Sequence, residues 1–180
     1  MEKMKPGEFE QIFDLMELSF PKSEYRDHDQ QEQLLADPHY QIYTLTDALS
    51  GFVKAFMAVW TFDELVYLEH FAVNPRFRNH GLGAVMLQEL LASTPKRTCL
   101  GVELPQTPLS SRRVAFYTRN HFVLNPYPYI QPSLGKGRAP QPLRIMTSEQ
   151  AVSEEAFAQI RALLYRHVYR VDPEGSGISM

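Results

Sequence analysis

The sequence contains a single cysteine, Cys99, so no internal disulfide can staple the chain. Its setting between Thr98 and Leu100 suits a buried, inert thiol better than a nucleophile. A chain without disulfides fits a reducing cytoplasm, which is the expected location. No apolar run approaches the ~20 residues of a membrane-spanning helix, so no membrane partner is expected. The opening Met1-Glu2-Lys3-Met4-Lys5 leads into an amphipathic segment, unlike a secretory signal. Basic excess is missing too: a net charge of -3 and a pI near 6.1 give no global reason to bind nucleic acid. The 6 histidines have no ligand spacing and there is no Cys-x-x-Cys, so no metal site is expected. What remains is ordinary. With 180 residues, 44% apolar and 22% charged, the chain can bury one sizeable core and is expected to form a single domain over 1–180.

Along the chain, Pro6 starts a segment in which Phe9, Ile12, Phe13, Met16 and Phe20 recur at helical spacing, with Glu8 and Glu10 in its first turn. Glu2, Glu8 and Glu10 read as a solvated face. Pro21 ends this helix, and residues 24–36 predict a second, more polar one stopped by Asp37-Pro38. Tyr40–Thr46 and Gly51–Phe62 read as an antiparallel hairpin turning at Asp47–Ser50. Strands are then expected over Leu65–Val73 and Arg97–Leu104, with helices from Leu82 to about Ala92 and from about Ser110 to Asn120. Phe122–Leu124 is extended. Residues 125–142, rich in Pro and Tyr, predict a long irregular stretch, Leu143–Met146 a strand, and Ser153 the cap of a last helix through Phe157, Ile160, Leu164 and Val168. Glu174–Met180 reads as a frayed tail. This order implies a mixed sheet with helices on both faces, an α/β fold.

The most informative run is Phe71-Ala72-Val73-Asn74-Pro75-Arg76-Phe77-Arg78-Asn79-His80-Gly81-Leu82-Gly83. A strand stops at a proline and the chain turns through glycines straight into a helix. Helix starts leave backbone N–H groups unpaired and carry the positive end of the dipole. Gly81 and Gly83 carry no side chain to block a phosphate, and Arg76 and Arg78 add charge, so the segment reads as an anion nest for a pyrophosphate. A Walker loop is excluded because no Gly-Lys-Ser/Thr follows, and a dinucleotide fingerprint because Met86 stands where its third glycine belongs.

Arg78-Asn79-His80-Gly81-Leu82-Gly83 resembles the Arg/Gln-x-x-Gly-x-Gly/Ala signature of the GNAT superfamily of N-acetyltransferases. Further on, Arg113-Val114-Ala115-Phe116-Tyr117-Thr118-Arg119-Asn120-His121-Phe122 resembles that family's second signature, a tyrosine-bearing helix that ends just before a phenylalanine. The likeness is strong over residues 40–124, looser in the helical residues 1–40, and does not extend to 125–180. It implies a mixed, mostly antiparallel sheet with a splayed parallel pair and helices on both faces, to which the helix read after Ser153 adds an extra C-terminal one. It also implies acetyl-CoA as co-substrate, lying in a gap between Leu65–Val73 and Arg97–Leu104. Phe71, Ala72 and Val73 would hold the pantetheine arm through main-chain groups, and amides of Arg78, Asn79, His80, Gly81, Leu82, Gly83 and Ala84 the pyrophosphate. Ser110 stands where the family often has a coenzyme-A-contacting Asn, and Asn120 or His121 must replace a left-handed glycine cap.

The resemblance implies direct transfer of an acetyl group to a primary amine, without a covalent intermediate. Tyr117 matches the position that protonates the thiolate of coenzyme A, and a phenol stays protonated at neutral pH. Glu69 is a candidate base, or else half of an ion pair or a substrate-binding anion without proton transfer; strand alternation would put Glu69, Phe71 and Val73 on one face and His70 and Ala72 on the other. Glu103 is the second carboxylate candidate, taking a proton or holding the amine's charge. His70 and His80 are weaker bases, since a lone histidine is more often structural. Tyr127 and Tyr129 are expected at the acceptor entrance, or else in the core of a proline-stiffened crossover. The acceptor is a small-molecule or peptide amine, with Glu69, Glu103 and Glu24 favouring a cation. The last helix packs on its own domain or across a two-fold axis, which leaves a homodimer open. The rival reading is a coenzyme-A-binding module without catalysis, acting as a sensor or partner protein.

Overall fold

The computed structural model describes residues 1–172. The predicted fraying of Glu174–Met180 falls outside the described residues. The chain packs as two compact units, Met1–Leu100 and Gly101–Met180.

The first unit begins with a short strand, β1 (Glu2–Lys3), that sequence patterning did not signal and that pairs antiparallel with β2 (Tyr40–Thr46). Helix α1 (Phe9–Ser19) buries Phe9, Ile12, Phe13, Leu15 and Met16 and stops where Phe20 turns extended before Pro21. It starts later than Pro6 suggests. Glu8, expected on a solvated face, is buried and accepts hydrogen bonds from the Lys5 amide at 2.8 Å and the Thr44 hydroxyl at 3.1 Å. The second helix is broken up: α2 (His28–Gln33) is flanked by 3-10 turns at Lys22–Glu24 and Leu34–Ala36. Its polar sequence supplies few apolar anchors, so only short pieces are held.

Strands β3 (Val53–Thr61) and β4 (Leu65–Val73) continue the antiparallel meander from β2. Nearly all of β3 is buried, so it reads as a continuous apolar run. β4 then pairs in parallel with β5 (Arg97–Glu103), Leu65–Leu68 against Arg97–Leu100, and extends beyond that pairing to Val73. α3 (Leu82–Ala92) makes the crossover between them, burying Met86, Leu87 and Leu90. The register of β4 on β3 skips one residue: Ala58 faces His70 and Val59 faces Leu68, leaving Glu69 as the extra residue of a β-bulge.

In the second unit, α4 (Pro108–Arg119) opens with a capping box between Thr107 and Ser110 and a proline in its first turn. It closes at Asn120, whose side chain donates to the Phe116 carbonyl at 2.8 Å, followed by His121 at φ 66°. His121 therefore takes the left-handed place of the missing glycine. β6 (Phe122–Leu124) and β7 (Tyr129–Gln131) both pair antiparallel with β8 (Gln141–Ser148). Residues 125–142 are thus partly ordered as strand, with buried Asn125 bonded through its side chain to the Ile145 carbonyl, the Thr147 hydroxyl and the Val152 amide. α5 (Glu154–Leu164) starts at the Ser153 cap and widens into an unexpected π-helical turn, Tyr165–Tyr169, ended by left-handed Arg170. The architecture is the mixed α/β class, with β4 and β5 as a parallel pair and a C-terminal helix.

Candidate active site

The loop between β4 and α3 is built by backbone conformation. Asn74 caps a 3-10 turn at Pro75–Phe77, its side chain accepting from the Arg76 amide at 3.1 Å. Asn79 at φ 65° and Gly81 at φ 77° then adopt left-handed conformations on either side of His80. Alternating handedness of this kind makes successive N–H groups converge on one concave side. The amides of Phe77 and Arg78 turn inward to the carbonyls of Asn74 and Pro75, and that of Val85 to Gly81. Those of Asn79, His80, Gly81, Leu82, Gly83 and Ala84 meet no acceptor among the described residues. Arg78 is the correction here: its amide is engaged, at a long 3.4 Å, and its side-chain Nε donates to the Val73 carbonyl at 2.9 Å. His80 lines the loop, its Nδ1 bonded to the Arg78 carbonyl at 2.8 Å. Nothing lies within 4 Å of a Cβ built on Gly81, so glycine there is required by φ and not by space. The cradle fits a diphosphate.

Glu69 is held as an ion pair, one of the readings its sequence position allows. Arg26, in the segment before α2, donates to its Oε1 at 2.7 Å, and the Trp60 indole to its Oε2 at 2.7 Å. Both charged side chains are sunk, 9% exposed for Arg26 and 3% for Glu69. Burial is the largest single influence on Glu69 and raises its pKa, but the Arg26 charge, then the neighbouring His70 and the hydrogen bonds from Trp60 and Arg26, together outweigh it and leave the carboxyl below its ordinary value. Burial alternates from Glu69 onward, with Glu69 intermediate and His70 buried. His70 approaches the same segment as Glu69, its Nε2 donating to the Glu24 carbonyl at 2.7 Å and its Nδ1 lying 4.0 Å from Glu69. Burial depresses the His70 pKa, with the Glu69 charge opposing. Past the bulge, Phe71 and Val73 are half-exposed and Ala72 is buried, as alternation predicts.

On α4, the Tyr117 ring packs edge-on against Phe116 and Phe122 and is 8% exposed. Its hydroxyl makes no hydrogen bond among the described residues. Burial pushes the phenol up to about 12, Arg113 one helical turn away pulling against it. Arg113 also donates to Glu103 at 3.2 Å, in a half-exposed pair. Glu103 keeps its other oxygen open.

Three expectations need correcting. Ser110 is buried, and its hydroxyl accepts from the Thr107 amide at 3.0 Å and donates to the Thr107 carbonyl at 3.1 Å, so it is spent on capping the helix and not free for a ligand. Tyr129, expected at the acceptor entrance, is 1% exposed in the core of the second unit. Tyr127 is half-buried, its ring 5.0 Å from Phe157 and its hydroxyl donating to the Val152 carbonyl, which favours the crossover reading. Cys99 is buried, and burial raises its thiol far above the ordinary range. Arg26 and Trp60 went unrecognised in the sequence; no local motif marks them, because their role depends on a contact with β4.

Among the described residues, no group of His, Cys, Asp and Glu is arranged to hold a metal ion, and no helix is long and apolar enough to cross a membrane.

The comparisons with known proteins fit this geometry. A protein assigned to the GNAT family of acetyltransferases from Bacteroides thetaiotaomicron has a similar structure at 31% identity and a TM-score of 0.82, with 91% of this chain and 93% of that chain covered. Two more distant solved structures share the fold. One is an aminoglycoside 6'-N-acetyltransferase complexed with coenzyme A (19% identity, TM-score 0.56, 80% and 91% covered). The other is the ribosomal-protein-S18-alanine N-acetyltransferase from Escherichia coli (19% identity, TM-score 0.58, 86% and 95% covered). No curated protein sequence matches. The model of the Acetyltransferase (GNAT) family matches residues 9–122, a span that holds both the cradle and the tyrosine helix. With well over half its length matched, this chain belongs to the GNAT family of acetyltransferases.

Proposed function

We propose that this chain is an N-acetyltransferase that moves an acetyl group from acetyl-CoA to a primary amine by direct attack. The observation that carries this reading is the row of unengaged amides from Asn79 to Ala84, bent into a concave cradle by Asn79 and Gly81. Six donors at a helix start suit a diphosphate. Bound acetyl-CoA supplies an activated acyl carbonyl and a thiolate leaving group. Main-chain groups of Phe71, Ala72 and Val73 take the pantetheine arm in the manner of an added strand.

Tyr117 serves as the acid. Its phenol stays protonated through the neutral range and its hydroxyl has no competing partner, so it is free to protonate the departing thiolate. Of the two carboxylates, Glu103 is the one open to an incoming amine, to hold its charge or accept its proton. Glu69, with both oxygens occupied, contributes placement and not proton transfer. The acceptor class is an amine on a small molecule or a peptide, as the names of the fold relatives suggest. The occupied state of Glu69 would also suit a coenzyme-A-binding module without catalysis.

One experiment separates the two readings: incubation with acetyl-CoA and a panel of polyamines, amino acids, aminoglycosides and peptide N-termini, with free thiol as the readout. The enzyme releases thiol with at least one amine, and Tyr117→Phe loses about 100-fold or more in rate while still binding coenzyme A. Binding without release for every amine would leave the sensor reading standing.

A further inference from the structure

Resting on the N-acetyltransferase reading, we propose that Arg26 is a positioning residue for acyl transfer: by gripping Glu69, the extra residue of the β4 bulge, it fixes the stretch of β4 that receives the acyl donor. A bulge re-aims the residues beside it and strengthens local twist, but it also leaves its extra residue outside the ladder, here with no partner on β3. The side chain of Glu69 makes up that loss. Oε1 is tied to Arg26 and Oε2 to Trp60 on β3, each at 2.7 Å. The next residue, His70, bonds the Glu24 carbonyl at 2.7 Å and meets the Phe20 ring edge-on at 5.2 Å. Two consecutive strand residues thus clasp one segment, 20–26, from which Arg26 reaches in. Three residues downstream of this clasp the strand ends at Val73, and the phosphate cradle follows.

Stability alone is a poor account of such a pair. Buried ion pairs are commonly no more stabilising than apolar residues of equal volume, whereas a planar guanidinium fixes the direction of its carboxylate. A bulge held in one direction sets where the main chain of Glu69, Phe71 and Val73 points, and misplacement of that order lowers rate more than binding.

The test compares the unmodified protein with Arg26→Met/Glu69→Gln, which buries no charge, and with Arg26→Lys. The double variant is expected to melt cooperatively and to bind coenzyme A within about twofold of the parent, because the cradle is untouched. Its kcat is expected to fall by about 10- to 100-fold. Arg26→Lys, which keeps the charge and loses the planar guanidinium, should fall between the two, and it decides the matter if the double variant does not fold. The acidic limb of the pH–kcat profile should stay where the parent has it in both. A folded double variant with parental kcat overturns the proposal, as does a parental Arg26→Lys beside an unfolded double variant. Loss of the acidic limb in the double variant also overturns it, since Glu69 would then be the base. Absence of coenzyme A binding and thiol release in the unmodified protein would sink the acetyltransferase reading itself, a result distinct from either.

Discussion

Arg78 folds back onto the strand it follows, its Nε donating to the carbonyl of Val73 at 2.9 Å. The bond closes the loop across its own base, so the left-handed residues Asn79 and Gly81 are presented from a braced frame. It also uses one lone pair of a carbonyl that sequence reasoning reserved for the pantetheine arm; a carbonyl oxygen has two.

Removing this brace should cost binding before it costs rate. Arg78→Ala loses a charge-assisted bond and a cation beside the diphosphate, and calorimetry should find coenzyme A affinity lowered by about tenfold, or about 1.4 kcal/mol. Saturated kcat should stay near that of the parent. Unchanged affinity would remove Arg78 from the site.

At Gly81 the requirement is conformational. An alanine at φ 77° meets no atom within 4 Å but pays the left-handed penalty, about 1–2 kcal/mol, or relaxes and turns the amides away. Gly81→Ala should therefore lower both the melting temperature and coenzyme A affinity. Gly81→Asn should do less harm, because asparagine tolerates this region, as Asn79 shows.

Stability should fall on mild acidification, and His70 should be a cause. Its folded pKa is depressed, so the unfolded chain binds a proton near pH 6.5 that the native state refuses. Stability from this group is complete above the unfolded value and is lost as pH falls, at about 1.4 kcal/mol per pH unit until the folded pKa is reached. His28 acts in the opposite sense: its hydrogen bond to Glu10 raises its pKa, so its contribution is present at acid pH and fades as pH rises. Denaturant melts of His70→Gln between pH 7.5 and 5.5 should show a shallower decline than the parent. An identical slope would mean that His70 is charged in the fold.

Tyr129 should behave as core. Tyr129→Ala is expected to destabilise by about 3–5 kcal/mol, with acceptor KM unchanged in whatever fraction remains folded. A stable variant with altered acceptor KM would restore it to the acceptor entrance.

Much of the fold was legible because its signals are local. The strands Tyr40–Thr46 and Leu65–Val73 stop at turn-forming residues and match their predicted limits. The helix from Leu82 and the Ser153 cap follow from glycine, serine and apolar spacing. The left-handed residue needed after α4 was also foreseeable, since Asn120 and His121 are the only residues at that point able to supply it at modest cost. Less was legible between residues 20 and 37, where a polar sequence allows short turns and a long helix equally well.

The sequence alone determined that a strand, a glycine turn and a helix would follow one another at Val73–Ala92, because backbone freedom and helix-start amides belong to the local chain. It also determined that a tyrosine helix would end before Phe122. Tertiary structure alone decided what each polar side chain faces. Glu69 became half of an ion pair because a bulge displaced it and Arg26, distant in sequence, arrived beside it. Tyr129 became core because β7 pairs with β8, and Ser110 a cap because Thr107 turned toward it. A side chain's chemistry is written in its residue type, but its availability depends on neighbours that only folding brings within bonding distance.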